Sequence, residues 1–226
     1  MLRKSLVLSA ILAASLNAGM FGDLAGAVTG GGNQATAFSA NDIQSILTNF
    51  QQAEKGLNTS VDLINQALGD KKQLAEWAEK EKSINAMPAS SEKDANFQKL
   101  KEEKVAYTEK LTHSQDVQEK AKKLSSQQKE KVSISISNLL LVALKDTEAL
   151  VRSKSLVSTI SSNPSYAMQY AADLPKLKNV VSTVPNQVAS LGTLTSGLTT
   201  LAKNADITVK QPVSANEPMQ DATGQL

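Results

Sequence analysis

His113 is the only histidine in the 226-residue chain, within the run Leu111-Thr112-His113-Ser114-Gln115-Asp116. Asp116 lies three residues after it and Glu109 four before, so on a helix all three share one surface. An imidazole with two carboxylates can hold a transition metal. The surroundings are rich in Lys and Glu, and a surface histidine among solvated acids is the commoner outcome of such a sequence. No metal site is assigned. The chain has no cysteine, which excludes thiol catalysis and cysteine-ligated zinc or iron–sulfur centres. A serine triad would need His113, and no G-x-S-x-G elbow accompanies it. Gly30-Gly31-Gly32 has neither a P-loop lysine nor Rossmann spacing. Pairs such as Glu102-Glu103 sit among lysines and read as a solvated face. Tyr107, Tyr166 and Tyr170 read as core or rim residues. No catalytic residue, cofactor site or cofactor is expected.

Residues 1–18 have the build of a secretory signal peptide: basic Arg3-Lys4, an apolar run over Ser5–Leu16, and Ala18 before Gly19. That run is shorter than the roughly 20 apolar residues a membrane span needs. Without Arg3 and Lys4, 22 basic and 22 acidic side chains remain and cancel. A basic footprint for nucleic acid is therefore absent. The expected location is outside the cytoplasm, periplasmic or secreted.

The elements that position everything else are helical by period. Residues 19–38 are glycine-rich and expected to be flexible. Beyond Ser39-Ala40-Asn41-Asp42, a source of helix caps, the residues Ile43, Leu47, Phe50, Leu57, Val61, Ile64 and Leu68 recur at helical steps. The pattern continues weakly through Trp77 to Ile84. An unbroken helix over 42–85 would be about 65 Å long, and Gly56 and Gly69 argue against full continuity. Trp77, the only tryptophan, is expected to cap one end of a bundle. Met87-Pro88-Ala89-Ser90-Ser91 is a turn. Residues 92–131 form a strongly charged helix in which Phe97, Leu100, Lys104, Tyr107 and Leu111 keep a coiled-coil seam.

Val132 to Leu144, VSISISNLLLVAL, carries no charge. Alternating Val132, Ile134 and Ile136 suggest a strand, but no other segment could pair with it. As a helix, Val132, Ile136, Leu139, Ala143, Leu150, Val157 and Ile160 share one face, with Asp146 and Ser153 as polar gaps. Asn163-Pro164 is a break. Asn179–Ala202 is again uncharged. There Pro185 either opens the last helix or kinks a longer one, and Gly192 and Gly197 allow close helix contact. Residues 205–226 offer little to bury and are expected to be a disordered tail.

The expected fold is all-α: an elongated helical bundle with long antiparallel helices and a coiled-coil-like hairpin. One domain covers 39–204, with the charged hairpin 39–131 projecting in part. Phe50, Leu57, Ile64, Trp77, Leu139, Leu140, Leu144, Leu191 and Leu198 are the core and interaction candidates. The expected function is an exported scaffold or protein-interaction protein without catalysis, acting through a protein partner or self-association. One alternative is a membrane-active protein, pore-forming or membrane-perturbing, that shelters residues 132–144 and 179–202. This layout is similar to α-helical pore-forming toxins in architecture alone. A periplasmic small-molecule carrier is a further alternative.

Overall fold

The computed structural model describes residues 38–220. The expected signal peptide, almost all of the glycine-rich segment and the last six residues of the expected tail lie outside that range. The described residues are all-helical: α1 Ala40–Leu68, α2 Lys71–Ala86, α3 Ser91–Thr112, α4 Gln115–Lys120, α5 Ser126–Ser162, α6 Pro164–Gln169 and α7 Leu174–Asn204. A 3-10 turn, Ala121–Lys123, follows α4.

Each break has a local cause. Ser39 and Asp42 cap α1 reciprocally: the Ser39 N–H donates to the Asp42 carboxylate and the Asp42 N–H to the Ser39 hydroxyl. The helical pattern over 42–85 breaks at Gly69, one of the two glycines set against its continuity, and runs unbroken through Gly56. A Cβ there would collide with the carbonyl oxygen of Asn65, which accepts the Gly69 N–H at 2.7 Å. Asp70 then caps α2 by accepting from the N–H groups of Lys72 and Gln73. Ser90 caps α3 in the same way. The charged helix expected over 92–131 is also interrupted. It ends at Thr112, and a capping box between Ser125 and Gln128 starts α5. Pro185 lies inside the continuous α7 and does not open it.

The described residues fall into two compact units. The boundaries fall within α1, α5 and α7. Unit 1 comprises the described residues up to Glu54, with Leu141–Gly192 and Ser214–Asn216. Its core gathers Ile43, Ile46 and Phe50 of α1, Ala149, Leu156 and Ile160 of α5, and Leu177, Val180 and Val184 of α7. Phe38, Tyr166 and Tyr170 close it with ring centroids 5.0–6.3 Å apart. Unit 2 comprises Lys55–Leu140, Thr193–Val213 and the residues from Glu217. It has its own apolar cluster of Trp77, Ile84 and Leu100, with Leu74, Phe97 and Tyr107 against it.

Residues 205–220, within the expected tail, are described and carry buried side chains. They belong to unit 2, apart from the short stretch Ser214–Asn216, with Ala205, Ile207 and Val209 buried.

Candidate functional site

Three places in the molecule combine polar chemistry with burial or a defined surface. The first is the α2–α3 pair in unit 2. The chain reverses after Met87, and contacts then run in opposite order along the two helices. The Lys93 ammonium donates to the Asn85 carbonyl, the Trp77 indole N–H to Glu103 at 2.9 Å, and the Asp70 N–H to the Tyr107 hydroxyl. Trp77 is buried edge-on against Tyr107, with ring centroids 5.1 Å apart. Lys80 also donates to Glu103, and this bond, then the Trp77 one, holds the carboxyl below its usual range. Lys104 lies between Asp62 at 3.0 Å and Glu81 at 3.4 Å. Burial works against its charge, but the bond to Asp62 and the two carboxylates outweigh burial and raise its pKa. A groove of about 160 Å³ opens beside it, lined by Val61, Phe97, Leu100 and Lys104 among others. That is below the roughly 300 Å³ at which small-molecule sites begin.

The outer surface of the same pair is patterned. On α2, Ala75, Glu79, Lys82 and Ala86 are all exposed, at steps of four, three and four. On α3, Ala95, Lys99, Glu102 and Ala106 repeat those steps with the charges exchanged, and all are exposed. Such steps place four residues on one narrow stripe of a helix.

The second place is in unit 1. Asp146 of α5 is fully buried, and neither carboxylate oxygen meets a hydrogen-bond donor of the protein. Burial, with the charge of Glu54 added, pushes its pKa up to about 7. Next to it, Lys145 is buried with its ammonium 3.2 Å from the Gln52 side-chain oxygen, and burial lowers its pKa. Two turns further on, Ser153 is buried and its hydroxyl is also without a partner.

The third place is the first half of α5, in unit 2, which holds the C-terminal segment. The Ser133 hydroxyl donates to the Thr208 carbonyl at 2.6 Å and the Ser137 hydroxyl to the Lys210 carbonyl at 2.7 Å. Asn138 pairs with the backbone of Gln220 in both directions, its amide donating to the carbonyl and its oxygen accepting the N–H. Ile207 and Val209 are buried while Asp206, Thr208 and Lys210 are exposed, the alternation of an extended chain. The serines that suggested a strand thus belong to a helix and serve a neighbouring backbone.

Among the sequence candidates, Ile64, Leu139 and Leu198 are inaccessible, and Phe50, Leu57, Trp77 and Leu191 are buried. Leu140 and Leu144 are only half-buried. Phe50 lies in the unit 1 core and Trp77 in the unit 2 cluster, so the candidates do not converge on one site. His113 ends α3, and its Nε2 lies 3.0 Å from the Thr193 carbonyl, which fixes the proton on that nitrogen. Among the described residues no three His, Cys, Asp or Glu side chains are grouped to hold a metal ion. No described helix is long and apolar enough to cross a membrane. No protein-family model, curated protein or solved structure matches the chain.

Proposed function

We propose that the protein is an exported helical scaffold, without catalytic activity, that associates with other helical chains and first of all with its own copies. The arrangement proposed is an elongated bundle with long antiparallel helices, in which α2 and α3 form a coiled-coil-like hairpin that presents the docking surface. Export rests on the basic and apolar pattern of residues 1–18.

The exposed stripe Ala75-Glu79-Lys82-Ala86 carries the reading. Its steps are those of a coiled-coil seam. Two copies laid antiparallel bring Glu79 of each against Lys82 of the other, and Ala75 against Ala86. A parallel α2–α2 pairing sets Glu79 against Glu79 and is repelled. The alanines let the helix backbones approach, and the two symmetric ion pairs set direction, each contributing about 0.2–1 kcal/mol at an exposed site. A two-fold contact of this kind closes on itself as a dimer.

Sedimentation of the purified protein over a concentration series tests it. Glu79→Lys should weaken association by about tenfold, two lost pairs becoming two repulsions. Adding Lys82→Glu should restore it, because the antiparallel pattern is again complementary. A wild-type chain that stays monomeric and captures no exported partner overturns the proposal.

A further inference from the structure

We propose that residues 207–220 exchange between two copies of this chain, those of one lying in the α5 seat of the other. This does not rest on the α2 stripe; it stands on the seat and on the hinge that leads into it.

The seat recognises backbone. Ser133, Ser137 and Asn138 bind the carbonyls of Thr208, Lys210 and Gln220 and the N–H of Gln220. Four hydrogen bonds thus hold main-chain atoms that any copy presents identically. The apolar contribution comes from Ile207 and Val209, whose register is fixed by the pleat of an extended chain. An exchanged segment makes every one of these contacts again. The balance between closed and exchanged forms therefore depends on the hinge and on protein concentration, as in other exchanges of identical elements between copies.

The hinge is where the closed form carries a cost. α7 ends in a Schellman turn: the Ile207 N–H donates to the Ala202 carbonyl at 2.8 Å and the Asp206 N–H to Lys203. That turn needs a left-handed residue, usually glycine. Here it is Asp206, at φ 55°, the only non-glycine residue with positive φ among those described. Aspartate tolerates that conformation better than most L-residues but less well than glycine. Leaving the turn and continuing to a second copy releases the left-handed residue and gives up the two hydrogen bonds of the turn, whereas returning to the chain's own α5 keeps all three.

The chain contains no cysteine, so single thiols can be placed without interference. Glu130 is exposed on α5, one helical turn before Ser133, and Thr208 is exposed on the segment that Ser133 binds. Equal amounts of Glu130→Cys and Thr208→Cys chains, mixed at high concentration with a short bismaleimide, should give a covalent heterodimer above the yield of either variant alone. The doubly substituted chain, diluted, should close internally and report the seat itself. Asp206→Val, disfavoured in the left-handed region, should raise the heterodimer yield about fivefold, and Asp206→Gly should lower it by a similar factor. The heterodimer yield should be unchanged in a Glu79→Lys background, where association through α2 is weakened about tenfold, so failure of one proposal is distinct from failure of the other. Internal closure of the double variant with no heterodimer above background, even with Asp206→Val, overturns the exchange. Absence of internal closure overturns it too, because the seat would then be unoccupied.

Discussion

The two halves of α5 place polar side chains in the protein interior to opposite effect. In the unit 2 half, Ser133, Ser135, Ser137 and Asn138 all donate to carbonyl oxygens, three of them on the C-terminal segment and one, Lys131, on the helix itself. In the unit 1 half, Asp146 and Ser153 are fully buried and have no partner. A paired buried hydroxyl contributes about 1 kcal/mol, while an unpaired buried group costs about 1–3 kcal/mol, and more if it is charged. One helix therefore fastens a segment at one end and carries a penalty at the other.

The largest expected effect breaks that contrast at Asp146. Its carboxyl ionises near 3.8 in the unfolded chain and near 7 in the fold. Below the lower value both states are protonated and nothing is lost. As pH rises through this window the unfolded chain ionises first, so stability falls and the full penalty is present above about 7. The size is roughly 4 kcal/mol. Thermal melts should show unit 1 most stable near pH 4 and progressively weaker to pH 8. Asp146→Asn should flatten this dependence, raising the melting temperature at pH 8 and leaving it nearly unchanged at pH 4. The sign bears on the membrane-active alternative, since acid strengthens this region and cannot release it through Asp146. A wild-type melt that strengthens from pH 4 to pH 8 would reverse the assignment.

At the fastened end, Asn138→Ala removes both bonds to Gln220 and exposes the segment's backbone to compensation by water. The expected cost is about 1–2 kcal/mol. Hydrogen exchange should report it locally, as faster exchange of the Gln220 amide and of its neighbours in 205–220, while the Phe50–Ile160 core of unit 1 keeps its protection. If the amides of 205–220 are unprotected already in the wild type, the pairing is not maintained in solution.

Much of this was legible beforehand, and the misses have physical reasons. The helices, the Ser39–Asp42 and Asn163-Pro164 boundaries and the Met87–Ser91 turn follow from caps, proline and period, all of which act within a few residues. Asp146 and Ser153 were recognisable as gaps in an apolar face. Their burial without partners depends on what α1 and α7 bring around them, which periodicity does not encode. The segment after Ala205 looked unable to bury enough to order itself. Its partners are hydroxyl and amide donors on a helix some 70 residues earlier in the chain, and composition does not register a donor set at that distance. The α2 stripe was readable in principle from its four-three-four spacing. Attention to apolar seams passes over one made of alanine and opposite charges.

A last contrast, ending in the smallest effect, compares two glycines of α7, one closing unit 1 and one in unit 2. Both were expected to allow close helix contact, and the structure separates them. A Cβ on Gly197 would fall 2.8 Å from the Thr112 hydroxyl and 3.0 Å from the Thr112 backbone oxygen. The end of α3 is held there by Gln118, which donates to the carbonyls of both Thr112 and Gly197. Gly197→Ala must therefore shift backbone as well as side chain, at a cost of about 1–3 kcal/mol that outweighs the gain in helix propensity. Gly192 has nothing within 4 Å of the same position. Gly192→Ala adds a methyl to open space in a helix interior and should stabilise by up to about 1 kcal/mol. Chemical denaturation of the two variants side by side should give shifts of opposite sign. Equal gains would mean that α7 does not approach Thr112 closely, and the close seating of α3 on α7 in unit 2 would have to be abandoned.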